Sequence, residues 1–294
     1  MQFRYSYGSL PTLKKMLPGF QCICDNTMHV IRFRGLNPHG EHIALLHGIA
    51  ACSATWMPLV RALMPIAKSF LLFDLPGHGL SSAAPEGFGF LDAYRCAEAC
   101  LLKNLEPEES NMIIGNSLGG AFAFRFCADH PDYVSRCVLI SPAGAPFPTT
   151  AEDVVAPFLT KSLADAKKIV DLVWTKPTKA AYLLAPVIRH TTTQPGFVSL
   201  IQSLISLDKN PDGELAQMIF NPGMVSQVRI PMMLIWGKQD KILPREMCAW
   251  FDENLPQSVA RYFPEDLGHC PQFEAPGRVA SEIIRWRMAS TKTI

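Results

Sequence analysis

Met112-Ile-Ile-Gly-Asn-Ser-Leu-Gly-Gly-Ala121 joins a short apolar run to a helical pattern through a serine set between glycines, Gly115-x-Ser117-x-Gly119. A serine on a tight strand-to-helix turn needs small neighbours two residues to either side, because the strained backbone brings those positions close together. The bare spacing arises from composition in roughly one chain in ten of this length. The setting says more. An apolar strand precedes the serine, and Leu118, Ala121, Phe122 and Phe126 follow on one helical face. Strand, turn and helix together raise the hydroxyl to the C-terminal edge of a sheet, where open α/β folds bind ligands.

Outward from this turn, short apolar runs alternate with segments of helical period, which predicts a mostly parallel sheet covered by helices. The strand candidates are Ile43–Leu46, Phe70–Phe73, Met112–Ile114, Cys137–Ile140, Met232–Trp236 and Val259–Phe263. All but the last are nearly continuous apolar runs, as strands buried on both faces require. Residues 20–24 and 28–33 flank Asp25-Asn26-Thr27, a hairpin turn, so the sheet should open antiparallel. Trp56, Leu59, Val60, Leu63 and Met64 share one helical face, and further helices fit 118–129 and 277–288.

Between about 145 and 227 the alternation stops. Phe197, Leu200, Ile201, Leu204 and Ile205 repeat with helical period, while prolines at 146, 148, 157, 177, 186, 195, 211 and 222 divide the stretch into short helices. The expected organisation is a core of residues 1–144 and 228–294 with a helical cap, 145–227, inserted after the sixth strand.

A serine hydroxyl attacks at neutral pH only when a base removes its proton. Of the eight histidines, His269 is the best placed, in a loop between the last strand and the final helix. His29 and His42 sit near the early strands, His39 and His190 in loop-like or inserted sequence, and His130 at a helix end. The histidine needs a carboxylate to hold its tautomer. Trp236-Gly-Lys-Gln-Asp240 delivers one just beyond a strand, and the order Ser117, Asp240, His269 suits such a triad. Asp266, three residues before the histidine, is the rival. Negative charge growing on an attacked carbonyl calls for two backbone N–H donors. Leu118 and Ile49, in His47-Gly48-Ile49-Ala50 after the Ile43 strand, are the expected pair. His47 reads as shaping that loop, and Asp74 and His78 in Asp74-Leu-Pro-Gly-His-Gly79 as bracing the next one.

The 294 residues carry Lys+Arg 27 against Asp+Glu 26, a net charge of +1, so no broad field favours nucleic acid. Nine scattered cysteines form neither a disulfide scaffold nor a zinc pattern, and read as reduced thiols of a cytoplasmic protein. No secretory leader is recognised at the N-terminus, and no apolar run approaches the 18 or so residues of a membrane span. Residues 10–20 are read as a packed arm, with peripheral membrane contact as the alternative. The oligomeric state is left open.

These motifs, with Gly268-His-Cys-Pro-Gln-Phe-Glu-Ala-Pro276, occur in the order seen in α/β-hydrolase-fold proteins, and the chain resembles the capped esterase and lipase type over residues 20 to 288. The resemblance implies about eight strands, the triad Ser117, Asp240 and His269, and no metal or organic cofactor. The Asp240 site resembles monoacylglycerol-lipase-like members. Gly115-Asn116-Ser117 resembles hydrolases that cleave carbon–carbon bonds in vinylogous diketones. Ser117 argues against the dehalogenase and epoxide-hydrolase branches, which use an aspartate nucleophile. The expected reaction is hydrolysis of a carboxylic ester through an acyl-enzyme on Ser117, by a carboxylesterase or small lipase, with carbon–carbon hydrolysis as the alternative. The cap holds seven acidic and seven basic residues between 145 and 225, so a neutral or weakly amphiphilic substrate is expected. Trp174 and Phe197 are the candidate pocket residues. Arg189 and His190 are the polar cap residues that a dienol carboxylate would need.

Overall fold

A computed structural model of the chain describes residues 21–25, 28–179, 181–210 and 218–290. In chain order, β1 (Gln21–Asp25), β2 (Met28–Arg34) and β3 (Glu41–Leu46) are followed by α1 (Met57–Leu63), β4 (Ala67–Asp74) and α2 (Phe90–Asn104). Next come β5 (Asn111–Asn116), α3 (Leu118–Asp129) and β6 (Arg136–Ile140). The helices α4 (Ala151–Val155), α5 (Leu163–Val173), α6 (Ala185–Thr192), α7 (Pro195–Ile205) and α8 (Pro222–Ser226) then intervene before β7 (Met232–Ile235). The chain continues with α9 (Arg245–Asn254), β8 (Ala260–Tyr262), α10 (Pro271–Glu274) and α11 (Pro276–Ser290).

The eight strands form one sheet in the order β1-β2-β4-β3-β5-β6-β7-β8. β2 pairs antiparallel with both β1 and β4, and the remaining pairs are parallel. The expected mostly parallel eight-stranded sheet is therefore present, with the helical run after β6. Asn26 and Thr27 of the hairpin turn, and the arm at 10–20, lie outside the described residues.

β5 and β6 are buried at every position, which is why their runs Met112–Ile114 and Cys137–Ile140 are apolar without alternation. Alternate residues of β3 enter two separate cores. Ala44 and Leu46 face α2 and α3, whereas Ile43 and Leu45 face Leu59 and Val60 of α1 and Val279 and Ile283 of α11. Each fully buried large apolar side chain stabilises the fold by about 1.5–3 kcal/mol. At the sheet's other end, buried Glu41 accepts from Arg136 Nη1 at 2.5 Å and Arg287 Nε at 2.6 Å, fastening β3 to β6 and α11.

Candidate active site

Ser117 follows β5 and precedes α3 with φ 54° and ψ −118°, a backbone conformation that costs a non-glycine residue of order 1–3 kcal/mol. The flanking glycines make it feasible. A Cβ on Gly115 would lie 2.2 Å from the Gly119 carbonyl oxygen, and one on Gly119 would lie 2.2 Å from that of Leu46. The Ser117 N–H donates to Ile140 O at 3.0 Å and its carbonyl accepts from Ala143 N at 3.0 Å, so the end of β6 holds the strained residue in place.

Beyond β7, Asp240 Oδ2 lies 2.7 Å from His269 Nδ1, with both side chains almost fully buried. The other carboxylate oxygen accepts from the N–H groups of Ile242 (2.8 Å) and Leu243 (3.0 Å), which fixes the plane of the carboxylate. The two loops touch because Gly237 lacks a side chain: a Cβ there would lie 2.2 Å from Gly268 O. Asp266 is elsewhere. It is exposed and forks onto Arg278 at 2.8 and 2.9 Å. Ser117 and His269 line one pocket. Their side chains are not hydrogen-bonded to each other in this structure; such contacts are often long without a ligand and tighten in the substrate complex.

Two residues that hold these loops escaped the sequence reading as site residues. Buried Asn116 donates through Nδ2 to Ile140 O at 3.0 Å and to His269 O at 3.2 Å, tying the serine turn to the histidine loop. Glu274 accepts from Gly268 N at 2.8 Å and from Thr175 N at 2.9 Å, tying the histidine loop to the segment after α5. Their partners are backbone groups, most of them far away in sequence, so no spacing pattern announces them.

The loop holding Ile49 is braced by two buried histidines. His47 Nδ1 donates to Gly48 O at 2.8 Å, and its Nε2 accepts from Leu75 N at 3.0 Å. His78 repeats the arrangement, Nδ1 to Pro76 O at 2.9 Å and Nε2 from Ala50 N at 3.1 Å. One nitrogen donating and one accepting defines a neutral ring. Burial lowers the pKa of both rings, and His78, with His47 beside it, is pushed down to about 3. Burial alone would raise the Asp74 carboxyl. Hydrogen bonds from His29 (3.2 Å), Ser53 N (2.6 Å) and Leu80 N (3.0 Å) hold it instead below its ordinary value. Asp74 and His78 thus brace their loop, as expected.

Leu118 is the first residue of α3, so its N–H has no acceptor within the helix. Ile49 and Leu118 both border Ser117 in the lining of an adjoining cavity. The pocket shared by Ser117 and His269 has a mainly apolar lining that includes Ile169, Val173, Trp174 and Phe273. Trp174 is at the pocket, as the sequence predicts. Phe197 is not: it is buried with its ring 5.6 Å from that of His78. Arg189 and His190 are exposed on α6 and do not line the pocket. Among the described residues no cluster of three His, Cys, Asp or Glu side chains is arranged to hold a metal, and no helix is long and apolar enough to cross a membrane.

The profile of the alpha/beta hydrolase fold family matches residues 41–167. Monoacylglycerol lipase ABHD6 of Homo sapiens is 24% identical over 269 residues, spanning 86% of this chain and 77% of that protein. A candidate lipase from Acinetobacter baumannii AYE has a similar structure, with a TM-score of 0.77 at 18% identity over 94% of this chain and 92% of that one. A 2-hydroxy-6-oxo-6-phenylhexa-2,4-dienoate hydrolase from Rhodococcus sp. strain RHA1 gives 0.73 at 17% identity, over 92% and 99%. At such identities the solved structures speak for the fold. With the sequence relatives and the family profile beside them, the chain has the α/β-hydrolase fold and is similar to hydrolases of the lipase and esterase kind.

Proposed function

We propose that the protein hydrolyses carboxylic esters through an acyl-enzyme, with Ser117 as nucleophile, His269 as base and Asp240 as the group that orients the imidazole. The observation that carries this reading is the opening of a strained serine and a carboxylate-held histidine into one apolar pocket. As Ser117 Oγ bonds to the carbonyl carbon, its proton passes to His269 Nε2 and the carbonyl π electrons move to the oxygen. The N–H groups of Ile49 and Leu118 receive that charge. Collapse breaks the bond to the leaving oxygen, which takes the proton from His269. Water then attacks the acyl carbon, again losing its proton to His269, and Ser117 Oγ recovers a proton as the acid leaves. Residues 145–227 serve as the lid over the pocket, on a core of 1–144 and 228–294. Cys96, Cys127, Cys137, Cys248 and Cys270 are in no disulfide, which suits a cytoplasmic setting.

Among the described residues the pocket lining contains no Asp, Glu, Lys or Arg side chain, which favours an uncharged ester over a dienol carboxylate, since a buried carboxylate needs a cationic partner. The name of the human relative points to acylglycerols as esters to try first. The test is turnover of p-nitrophenyl esters of graded chain length by wild type and Ser117→Ala. Turnover by wild type that vanishes in Ser117→Ala is expected. Persistent turnover in the variant would remove Ser117 as nucleophile. Fluorophosphonate labelling without turnover of any ester would shift the assignment to carbon–carbon hydrolysis.

A further inference from the structure

The histidine loop runs into α10, and Gln272, three residues after His269, lines the same pocket as Ser117. Its side chain is buried, at 3% exposure. Among the described residues, Gln272 Oε1 is the one buried side-chain oxygen or nitrogen of that lining without a hydrogen-bond partner. The neighbours fix which end of the amide is left over. Asn116 Nδ2 donates to Ile140 O and to His269 O, so Asn116 Oδ1 is an acceptor, and Cys270 Sγ donates to it at 3.5 Å. With its S–H committed there, the Cys270 sulfur is left as an acceptor, and the Gln272 side chain hydrogen-bonds to it. The amide therefore gives its NH₂ to the sulfur and keeps its carbonyl oxygen for the pocket. Ile169, Val173, Val187 and Phe273 of the same lining have no side-chain donor to offer that oxygen.

Resting on the ester reading above, we propose that Gln272 is a specificity-determining residue: its Oε1 accepts a hydrogen bond from a free hydroxyl of the substrate, and the preferred substrates are otherwise apolar esters that carry one. A buried acceptor without a partner has given up its bond to water and gained none in return, so a ligand that brings a donor is favoured over one that does not. A hydroxyl suits the place better than a charged group. The lining has no Asp or Glu to balance an ammonium, and an ionised carboxylate has no proton to donate. The sign of the selectivity is diagnostic. An apolar pocket without a partner prefers methyl to hydroxyl, because the hydroxyl loses its water bonds on entry. Gln272 reverses that order. The hydroxyl can sit on the alcohol or on the acyl half of the ester, since the bond to Oε1 is the same in either case.

Matched pairs of esters test this. Monobutyrates of ethylene glycol, propanediol and butanediol are each set against the alkyl butyrate in which methyl replaces the free hydroxyl, which covers the alcohol half. Ethyl esters of hydroxy acids, set against the same esters with methyl for hydroxyl, cover the acyl half. Wild type should show the higher kcat/KM for the hydroxyl member of at least one pair, by about three- to tenfold, and that pair tells which half carries the hydroxyl. In Gln272→Met, which fills a similar volume and ends in methyl, the preference should turn to the methyl member. Turnover of the methyl member by the variant shows that it is folded. If the variant turns over neither member, Gln272→Asn, which keeps the amide and withdraws it by one methylene, should lower the same ratio, and an unchanged ratio there would overturn the assignment. Wild type that favours the hydroxyl member in no pair, or Gln272→Met that keeps the hydroxyl preference, would overturn the assignment while leaving the ester reading intact. A wild type that hydrolyses none of these esters would overturn the ester reading, and the assignment with it.

Discussion

Asp240→Asn preserves the size of the side chain and removes its charge, and the surrounding hydrogen bonds dictate how the new amide must sit. The N–H groups of Ile242 and Leu243 both point at Oδ1 and require an acceptor there. The carbonyl oxygen of the substituted amide would take that place, and its NH₂ would occupy the Oδ2 position, 2.7 Å from His269 Nδ1 in the native protein. Two donors cannot share that contact, so Nδ1 becomes the acceptor and the imidazole proton moves to Nε2. A ring protonated at Nε2 cannot take the serine proton. The expected loss is about 10⁴-fold in kcat, equivalent to about 5.4 kcal/mol of transition-state stabilisation. Tm should change little, since the loop's backbone donors keep an acceptor. The assay is steady-state turnover of p-nitrophenyl butyrate, with the concentration of folded enzyme taken from circular dichroism. Asp266→Asn is the matched control and should stay near wild type, because its exposed carboxylate pairs with Arg278 at the surface. Asp240→Asn within tenfold of wild type would refute the reasoning, and a collapse in Asp266→Asn would relocate the acid.

Three further outcomes follow from the bracing of the loops. Gly237→Ala puts a Cβ 2.2 Å from Gly268 O. It should lower stability by about 1–3 kcal/mol while reducing kcat by separating Asp240 from His269; an unchanged melting curve and kcat would contradict the close approach. His78→Ala strips the acceptor from the Ala50 N–H. It should reduce kcat by about 10²-fold, with recovery in His78→Gln, which can supply an oxygen; full activity of the alanine variant would mean that the Ile49 loop holds itself. The folded pKa of His78, about 3, lies below its ordinary 6.5, so between those values the unfolded chain binds the extra proton. Stability should therefore be full above pH 6.5 and fall as pH drops towards 3, by up to about 1.4 kcal/mol per unit for this group. Buried His47 acts in the same direction. Tm measured from pH 7 to 4.5 should decline less in His78→Gln than in wild type; equal slopes would show that His78 does not titrate on unfolding.

Strands buried on both faces were the most legible part of the chain. Phe70–Phe73 and Met112–Ile114 lie inside β4 and β5, and helix 118–129 coincides with α3, because continuous apolar runs ending at a tight turn have few other structural uses. Outside the run after β6, the helices α2, α9 and the single turn α10 went unread. α2 buries Ala93, Tyr94, Ala97, Cys100 and Leu101, whose small residues give a faint stripe, and α9 buries only Met247 and Phe251. The contact of Asp240 with His269 was legible because each stands in a loop just past a strand end. The roles of Asn116 and Glu274 were not, since both act on backbone groups brought near by folding. Phe197 was misplaced for a related reason: its periodicity shows that it is buried, and its contact with His78 across the fold decides against what.

The central claim is that Ser117 carries the acyl group, and trapping tests it most directly. The protein is reacted with a fluorophosphonate, digested, and the modified peptide sequenced by mass spectrometry, with Ser117→Ala treated in parallel. A single adduct on Ser117, formed in step with loss of ester turnover, is expected, with no adduct in the variant. An adduct on any other residue that accompanies the loss of activity, or undiminished labelling of Ser117→Ala, would contradict it.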